Sequence, residues 1–157
     1  MTAEIKFIVD FMLGRLARWL RILGYDTLYR NNYLPEEIAL LSLQEKRVIL
    51  TRNSRLSPKK CWQIYYLKSD NYQEQLRTVI RHFGLRYSPP QMFKRCSICN
   101  SLLEPVNKSD YYEEIPDYIY RTHSEFYRCH NCQQIYWPGS HIEFIKNILG
   151  QLARESQ

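Results

Sequence analysis

Residues 5–24 read IKFIVDFMLGRLARWLRILG, a strand-like segment followed directly by a helix-like one. Residues 5–9 are short, mostly apolar and partly β-branched, which is typical of a buried strand, and Asp10 ends them. Over residues 13–23 the apolar side chains recur at helical spacing, and Gly24 stands where a C-terminal cap is expected. The other face of this helix carries three arginines spaced by threes: Arg15, Arg18 and Arg21. A strand followed by an amphipathic helix predicts an α/β fold.

Strand-like and helix-like segments continue to alternate up to Gly84. The further strands are predicted at residues 26–29, 47–51 and 62–67, and the further helices at 35–45 and 72–83. Proline and acids open the first of these helices, and Asp70 or Asn71 can cap the second. This order predicts a three-layer architecture in which a mainly parallel sheet lies between helices.

A break in the pattern at Tyr87-Ser88-Pro89-Pro90 is the natural linker. We therefore predict one domain over residues 1–88 and a second over residues 89–157. The second contains two Cys-x-x-Cys pairs and ends in an amphipathic helix from about residue 142 to residue 152. Its small size predicts that a metal ion contributes to its stability.

Composition and charge set broad limits on function. The 157 residues are 45% hydrophobic and 24% charged, which is ordinary for a folded globular protein. The formal net charge of +6 favours a polyanionic partner such as RNA, although a basic surface without such a partner fits it equally well. No run of apolar residues is long enough to span a bilayer, and no basic-then-apolar leader opens the sequence, so we predict a cytoplasmic protein.

Four of the five cysteines form the pairs Cys96/Cys99 and Cys129/Cys132. In a reducing compartment, two such pairs predict a tetrahedral S₄ zinc site, with a structural role because no position is open to water. Redox pairs or incidental spacing are the alternatives, and His130 could replace one cysteine if it is not simply exposed. The fifth, Cys61, is predicted to be a buried apolar residue.

Polar residues follow three of the predicted strands: Asp10 the first, Asn53 the third and Asp70 the fourth. Strand carboxyl ends meet at one edge of a parallel sheet, where open α/β folds place their sites. Carboxylates there would bind Mg²⁺ or Mn²⁺ for phosphodiester hydrolysis. The alternative is that an aspartate after a strand only caps a helix or a turn.

Basic residues lie near the same predicted edge. The candidates for phosphate binding are Arg15, Arg18, Arg52, Arg55, Lys59 and Lys60. Arginine and lysine around a carboxylate cluster are what a nuclease needs to hold a phosphate backbone. A charged face that is merely solvated is the alternative.

Several motifs together resemble the PIN-like RNase family named after the C-terminal domain of Mut-seven exonucleases. They are Phe7–Asp10, Met12–Thr27, Ile49–Arg52, the two cysteine pairs and Ile135–His141. The resemblance extends over nearly the whole chain and implies a PIN-like fold with an appended zinc ribbon and metal-dependent RNase activity. It also implies acidic site residues at Asp10 and Asp70.

Two positions depart from that family pattern. Asn53 stands where the family commonly has an aspartate, and Pro35 stands where an acid often opens the second helix, with Glu36 and Glu37 beside it. An amide supplies no negative charge to a hard cation, so Glu37 or Glu36 would have to compensate.

The sequence thus predicts an endoribonuclease in which Asp10, Asp70 and Glu37 hold Mg²⁺ or Mn²⁺ and Asn53 supports them. An RNA-binding or ribosome-associated adaptor without catalysis is the second interpretation, and a protein-binding module is the third. In the adaptor, clustered tyrosines would stack on unpaired bases: Tyr111, Tyr112, Tyr118, Tyr120 and Tyr127. The oligomeric state is left open.

Overall fold

The computed structural model describes residues 4–56, 60–86 and 88–155. The chain forms two compact units, Met1–Asn100 and Ser101–Gln157. The first contains β1 (Lys6–Val9), α1 (Gly14–Ile22), β2 (Thr27–Tyr29), α2 (Pro35–Glu45), β3 (Arg47–Thr51), β4 (Gln63–Tyr66), α3 (Tyr72–Phe83) and α4 (Pro89–Met92). The predicted α/β class is confirmed. The predicted domain boundary at residue 88 stays a prediction.

The sheet of the first unit has the strand order β2-β1-β3-β4, and all three strand pairs are parallel. Ile8 pairs with Leu28 on one side and with Ile49 on the other. The chain therefore runs outward from β1 to β2 and then returns past β1 to β3. This reversal puts the topological switch point between β1 and β3, with the carboxyl ends of all four strands at one edge.

Helices cover both faces of this sheet. Ile8 belongs to a buried cluster with Ile38 of α2 and Ile49 of β3. The neighbouring Phe7 makes an edge-to-face contact with Phe83 of α3, at 5.5 Å between ring centroids. Because successive side chains of a strand point to opposite faces, α2 and α3 lie on opposite sides of the sheet. This is the predicted three-layer arrangement.

The second unit contains a small antiparallel sheet and two helices. Its elements are β5 (Glu104–Val106), α5 (Asp117–Thr122), β6 (Phe126–Arg128), β7 (Ile135–Tyr136) and α6 (Ser140–Glu155). The strand order is β5-β6-β7, and a 3₁₀ segment, Lys108–Glu114, follows β5. Within the described parts of the chain, no helix is long and apolar enough to cross a membrane.

The predicted linker is partly helical. Tyr87 lies outside the described residues, but Pro89–Met92 form α4, and the Met92 side chain is buried. Two prolines suit the first turn of a helix, since proline has a helical φ and that turn needs no N–H donor. The two prolines that predicted a linker therefore mark the start of a helix.

Gly24, two residues after the end of α1, lies close to the backbone of α4. Its φ of +98° is in the region that disfavours a side chain, and a Cβ there would lie 2.3 Å from the Gln91 carbonyl oxygen. Gly84, the αL cap of α3, has a φ of +60° with open space around it. We expect Gly24→Ala to lower the free energy of unfolding by about 3 kcal/mol and Gly84→Ala by about 1 kcal/mol, because only the first adds a backbone clash to the strain.

Denaturant unfolding of both variants measures this difference. If the free energy of unfolding fell equally in the two variants, this would contradict the close approach of Gln91 to Gly24.

Candidate functional site

Asp10 lies at the carboxyl end of β1, beside the switch point. Its side chain is only 4% exposed. One carboxylate oxygen accepts the Phe11 N–H at 2.6 Å and so caps the 3₁₀ turn Phe11–Leu13 that leads into α1. Burial of a carboxylate is costly unless its oxygens are hydrogen-bonded, and here they are. The carboxylate therefore has a fixed position at the sheet edge.

Thr51, the last residue of β3, holds the other oxygen of this carboxylate. Its hydroxyl donates to Asp10 Oδ2 at 2.8 Å and accepts the Asn53 N–H at 2.9 Å. Thr51 is fully buried, and its carbonyl accepts the Leu67 N–H from the chain beyond β4. The sequence did not predict a role for Thr51, because its proximity to Asp10 follows from the pairing of β3 with β1.

Asn53 is half-buried in the loop after β3. Its side-chain oxygen accepts the Arg55 N–H at 3.0 Å, and its carbonyl accepts the Leu56 N–H at 3.1 Å. This is an Asx turn, for which an asparagine is as suitable as an aspartate. The amide oxygen thus has a local structural role whether or not it also supports a metal.

Asp70 lies beyond β4 and lines a polar pocket that also includes Arg15 and Tyr72. The Arg15 guanidinium lies 5.2 Å from the centre of the Tyr72 ring, a cation–π arrangement. Asn71, not Asp70, caps α3, with its side-chain oxygen accepting the N–H groups of Gln73 and Glu74. The capping alternative for Asp70 is therefore excluded, and its exposed carboxylate faces a pocket that contains an arginine.

Glu37 occupies the third position of α2. Its Oε2 accepts the Leu34 N–H at 3.1 Å and so closes the first turn of the helix that Pro35 begins. Glu36 is exposed and lines a different pocket, together with Asn53. Glu37 thus has a helix-capping role that the sequence prediction did not anticipate.

The predicted acids do not form one tight group of ligands. Among the described residues, the four cysteines are the only set of three or more His, Cys, Asp or Glu side chains whose ligand atoms are grouped closely enough to hold a metal. Asp10, Glu37 and Asp70 follow three strands that end at the same edge, but their roles at a metal remain a prediction. The arrangement provides one buried, oriented carboxylate, that of Asp10, and two exposed ones, those of Glu37 and Asp70.

Most of the predicted phosphate-binding residues are on the surface. The side chains that are exposed are Arg15, Arg18, Arg52, Arg55 and Lys60. Lys59 lies outside the described residues. Arg21, the third arginine of α1, is buried instead of facing solvent. It therefore cannot share in phosphate binding.

The two cysteine pairs have the same local geometry. In the first, the Asn100 N–H donates to the Cys96 carbonyl at 2.9 Å; in the second, the Gln133 N–H donates to the Cys129 carbonyl at 2.8 Å. Asn100 and Gln133 both have positive φ, of 71° and 68°. The Cys132 N–H also points at Cys129 Sγ, at 3.4 Å. Each pair is thus a tight knuckle that turns its thiols to one side.

The four sulfur atoms, of Cys96, Cys99, Cys129 and Cys132, lie within 4.8 Å of one another. Zinc–sulfur bonds of about 2.3 Å in a tetrahedron need sulfur atoms about 3.8 Å apart, so this cluster can hold a zinc ion. His130 is exposed and its Nε2 lies 2.9 Å from Glu104 Oε2, which agrees with the alternative of a surface histidine. Cys61 is half-buried against the Ile8 cluster, and burial raises its pKa.

The first knuckle is anchored to the α/β unit by buried polar groups. The Arg21 guanidinium donates to the carbonyls of Ser97 and Ile98, at 3.3 and 2.9 Å, and to that of Thr27 at 2.9 Å. The Asn100 side chain accepts the Thr27 N–H at 3.0 Å and donates to Asp26 at 2.7 Å. Residues 97–100 thus supply hydrogen-bond partners to the Arg21 side chain of α1 and to the Thr27 N–H of β2.

Asp26 also pairs with a cation, because Arg47 donates to the same carboxylate at 2.8 Å. Burial by itself raises the pKa of Asp26, but the hydrogen bonds from Arg47 and Asn100 outweigh it and hold this pKa below its ordinary value. Arg47 is also hydrogen-bonded to the Phe7 carbonyl in β1. These hydrogen bonds therefore connect the first knuckle to β1 and β3, the two central strands of the sheet.

Only some of the tyrosines of the second unit have rings exposed for stacking on bases. The Arg128 guanidinium lies 4.4 Å from the centre of the Tyr111 ring, and Tyr120 contacts both Tyr112 and the Lys108 ammonium. Tyr118 is 74% exposed, and Tyr127 is half-buried in β6. Tyr112 is also 59% exposed, so packing accounts for Tyr111, Tyr120 and Tyr127 but leaves Tyr112 and Tyr118 with exposed rings.

Comparison with known proteins adds family evidence to this geometry. The Mut7-C RNase domain model matches residues 5–149. The human exonuclease mut-7 homolog is 32% identical over 104 residues, which is 60% of this chain and 12% of the human protein. The chain thus spans a small part of that relative, and no solved structure matches it. Because the family model extends over both cysteine pairs as well as the sheet, the chain belongs to the Mut7-C RNase domain family, whose description indicates a nuclease.

Proposed function

We propose that this chain is a metal-dependent endoribonuclease whose site lies at the carboxyl edge of the parallel sheet. The observation that carries the proposal is the Asp10 carboxylate. It is buried at the β1/β3 switch point and oriented by the Thr51 hydroxyl. A buried and oriented carboxylate at this point of an open α/β sheet is typical of a functional group.

Asp10 and Asp70 would hold Mg²⁺ or Mn²⁺, with Asn53 and Glu37 in support. Such an ion, when bound, activates a water and neutralises charge on the phosphate. Mg²⁺ commonly uses one or two carboxylates and completes its shell with water and substrate phosphates, so three clustered acids are not required.

Thr51 would keep the Asp10 carboxylate in position. The basic side chains would bind the RNA backbone: Arg15, Arg18, Arg52, Arg55, Lys59 and Lys60.

The cysteine cluster would hold structural zinc, since four thiolates leave no open position for chemistry. The second unit would then form a ribbon that assists RNA binding, with Tyr118 as its most exposed aromatic side chain. We place the protein in the cytoplasm, where thiolates remain reduced and available to a metal.

Circular single-stranded RNA is the substrate that tests this function, because only an endonuclease can open a circle. Zinc-loaded protein, dialysed free of other divalent ions, is expected to linearise the circle when Mg²⁺ or Mn²⁺ is added and to leave it intact in Ca²⁺. Chelators are avoided because they would also remove zinc. Cleavage without added metal, or of linear RNA alone, would contradict the proposal.

A second function, an RNA-binding adaptor without catalysis, is favoured by two observations. The described residues contain no cluster of three acids, and the Asn53 side-chain oxygen is used in an Asx turn. An adaptor would bind the same circle in every divalent ion without cutting it. Its affinity would fall as salt rises, because phosphate contacts release counterions, whereas a protein-binding module would not bind RNA.

A further inference from the structure

Helix α2 has apolar side chains on both of its faces. Ile38 and Leu41 pack against the sheet, while Leu40 and Leu43 point outward and are 54% and 47% exposed. A helix of a globular domain usually has a polar outer face. The outer face of α2 therefore offers an apolar surface that the first unit itself does not cover.

This surface forms one wall of a pocket of about 690 Å³. The other wall is the loop after β3, which supplies Asn53, Arg55, Leu56 and Lys60. The volume falls within the range of about 300–1,000 Å³ typical of small-molecule sites. The pocket thus combines an aliphatic wall with a cationic rim.

The pocket and the proposed site both include residues of the loop after β3, and hydrogen bonds connect these residues. The Asn53 N–H is bonded to the Thr51 hydroxyl, which in turn holds Asp10, and the Asn53 side chain is bonded to the Arg55 backbone. Arg55 and Lys60 have exposed side chains next to the apolar wall. A ligand that suits this lining carries an apolar part and a negative charge close to each other.

We propose that this pocket, formed by α2 and the loop after β3, binds one unpaired base of single-stranded RNA adjacent to the cleavage site. The inference rests on the proposed function. A nucleotide has the required chemistry: the base would lie against Leu40 and Leu43, and the adjoining phosphates would meet Arg55 and Lys60. The carboxylate of Glu36, also in the lining, can accept N–H groups from the edge of a base.

The consequence is a preference for single strands. In a duplex, each base is stacked and paired and cannot enter a pocket without being extruded, at a cost of a few kcal/mol. Pocket binding would therefore favour unpaired RNA over duplex RNA of the same sequence.

An abasic scan tests the pocket separately from catalysis. The probe is a short single-stranded RNA with one base removed at successive positions, and the readout is its Kd in Ca²⁺. For the native protein, removal of the base at one position is expected to weaken binding about tenfold, because the apolar contact of that base with the leucine side chains is lost. Removal elsewhere is expected to have a smaller effect.

Leu40→Gln is the variant that assigns this effect to the pocket, since it removes apolar surface without adding charge. It is expected to abolish the position-specific penalty, whereas Leu102→Gln is expected to retain it. Leu102 is a matched control because it is 58% exposed and lies in the second unit.

The inference would be overturned by a flat scan, in which removal of the base has the same effect on Kd at every position. It would also be overturned if the position-specific loss of affinity were unchanged in Leu40→Gln. A flat scan in an enzyme that still needs Asp10 would overturn the pocket but leave the proposed function. A Leu40-dependent penalty in a protein that never cleaves would support the pocket and remove the proposed function. If Leu40→Gln leaves every RNA affinity unchanged and instead disrupts a protein complex, the pocket is a protein-docking site and our assignment is wrong.

Discussion

Asp10→Asn is expected to lower RNA cleavage about 100- to 1,000-fold, because the variant loses the negative charge that would hold the metal against the phosphate. The amide is nearly the same size as the carboxylate, but it has one acceptor oxygen and cannot accept both the Phe11 N–H and the Thr51 hydroxyl. Among the described residues, no ion pair reaches Asp10. Loss of one buried hydrogen bond is therefore expected to lower the melting temperature by about 5 °C, which leaves the protein folded in the cleavage assay.

Thr51 variants sharpen this test. Thr51→Val removes the hydroxyl that positions Asp10 and is expected to reduce cleavage about 10- to 100-fold, the size of effect seen when a group that orients a ligand is lost. Thr51→Ser keeps the hydroxyl and should restore most of the activity. Cleavage rates and melting curves of all three variants would be measured together. Wild-type cleavage by Asp10→Asn would place the active site elsewhere.

Cys96→Ser is expected to lower the melting temperature by about 10 °C or more, because the binding energy of a structural zinc is folding energy. The thiol is fully buried and belongs to the four-sulfur cluster. Its knuckle also supplies acceptors for the Arg21 guanidinium, so we expect loss of the zinc to destabilise α1 as well.

Cys61→Ser is the matched control, since Cys61 lies outside the cluster and is half-buried at the edge of a core cluster. It should melt within a few degrees of the native protein, at a cost of about 1 kcal/mol. Zinc content is measured alongside, and we expect it to be lost in Cys96→Ser and retained in Cys61→Ser. Similar melting and full zinc content in both variants would contradict a structural metal.

The fold was largely predictable because its signals are local. The helix at 72–83 has a polar cap at Asn71 and a glycine at its end, and the structure begins and ends α3 there. Residues 47–51 are predicted as a strand and form β3, which is buried throughout. Periodicity and capping depend on neighbours in sequence, so a sequence can report them directly.

The site was harder to predict than the fold, because its interactions join residues that are distant in sequence. Arg21 follows the spacing of Arg15 and Arg18, which predicted a solvent-facing side chain. Its actual acceptors, Ser97 and Ile98, are more than seventy positions away. Glu37 was predicted to be a metal ligand from its charge, yet its contact is a local helix cap. Thr51 was missed because only the pairing of β1 with β3 brings it to Asp10.

The Arg21 and Asn100 contacts determine where this polypeptide can be divided. A fragment that stopped at residue 88 would lose both knuckle carbonyls from Arg21 and the Asn100 partner from the Thr27 N–H. Unpaired polar groups are costly in a protein interior, although the Arg21 Nε–H would keep the Thr27 carbonyl. Gene fusions and truncations that separate the sheet from residues 96–100 are therefore expected to be less stable, and those that keep Asn100 must also keep Cys129 and Cys132 for the four-sulfur cluster to form.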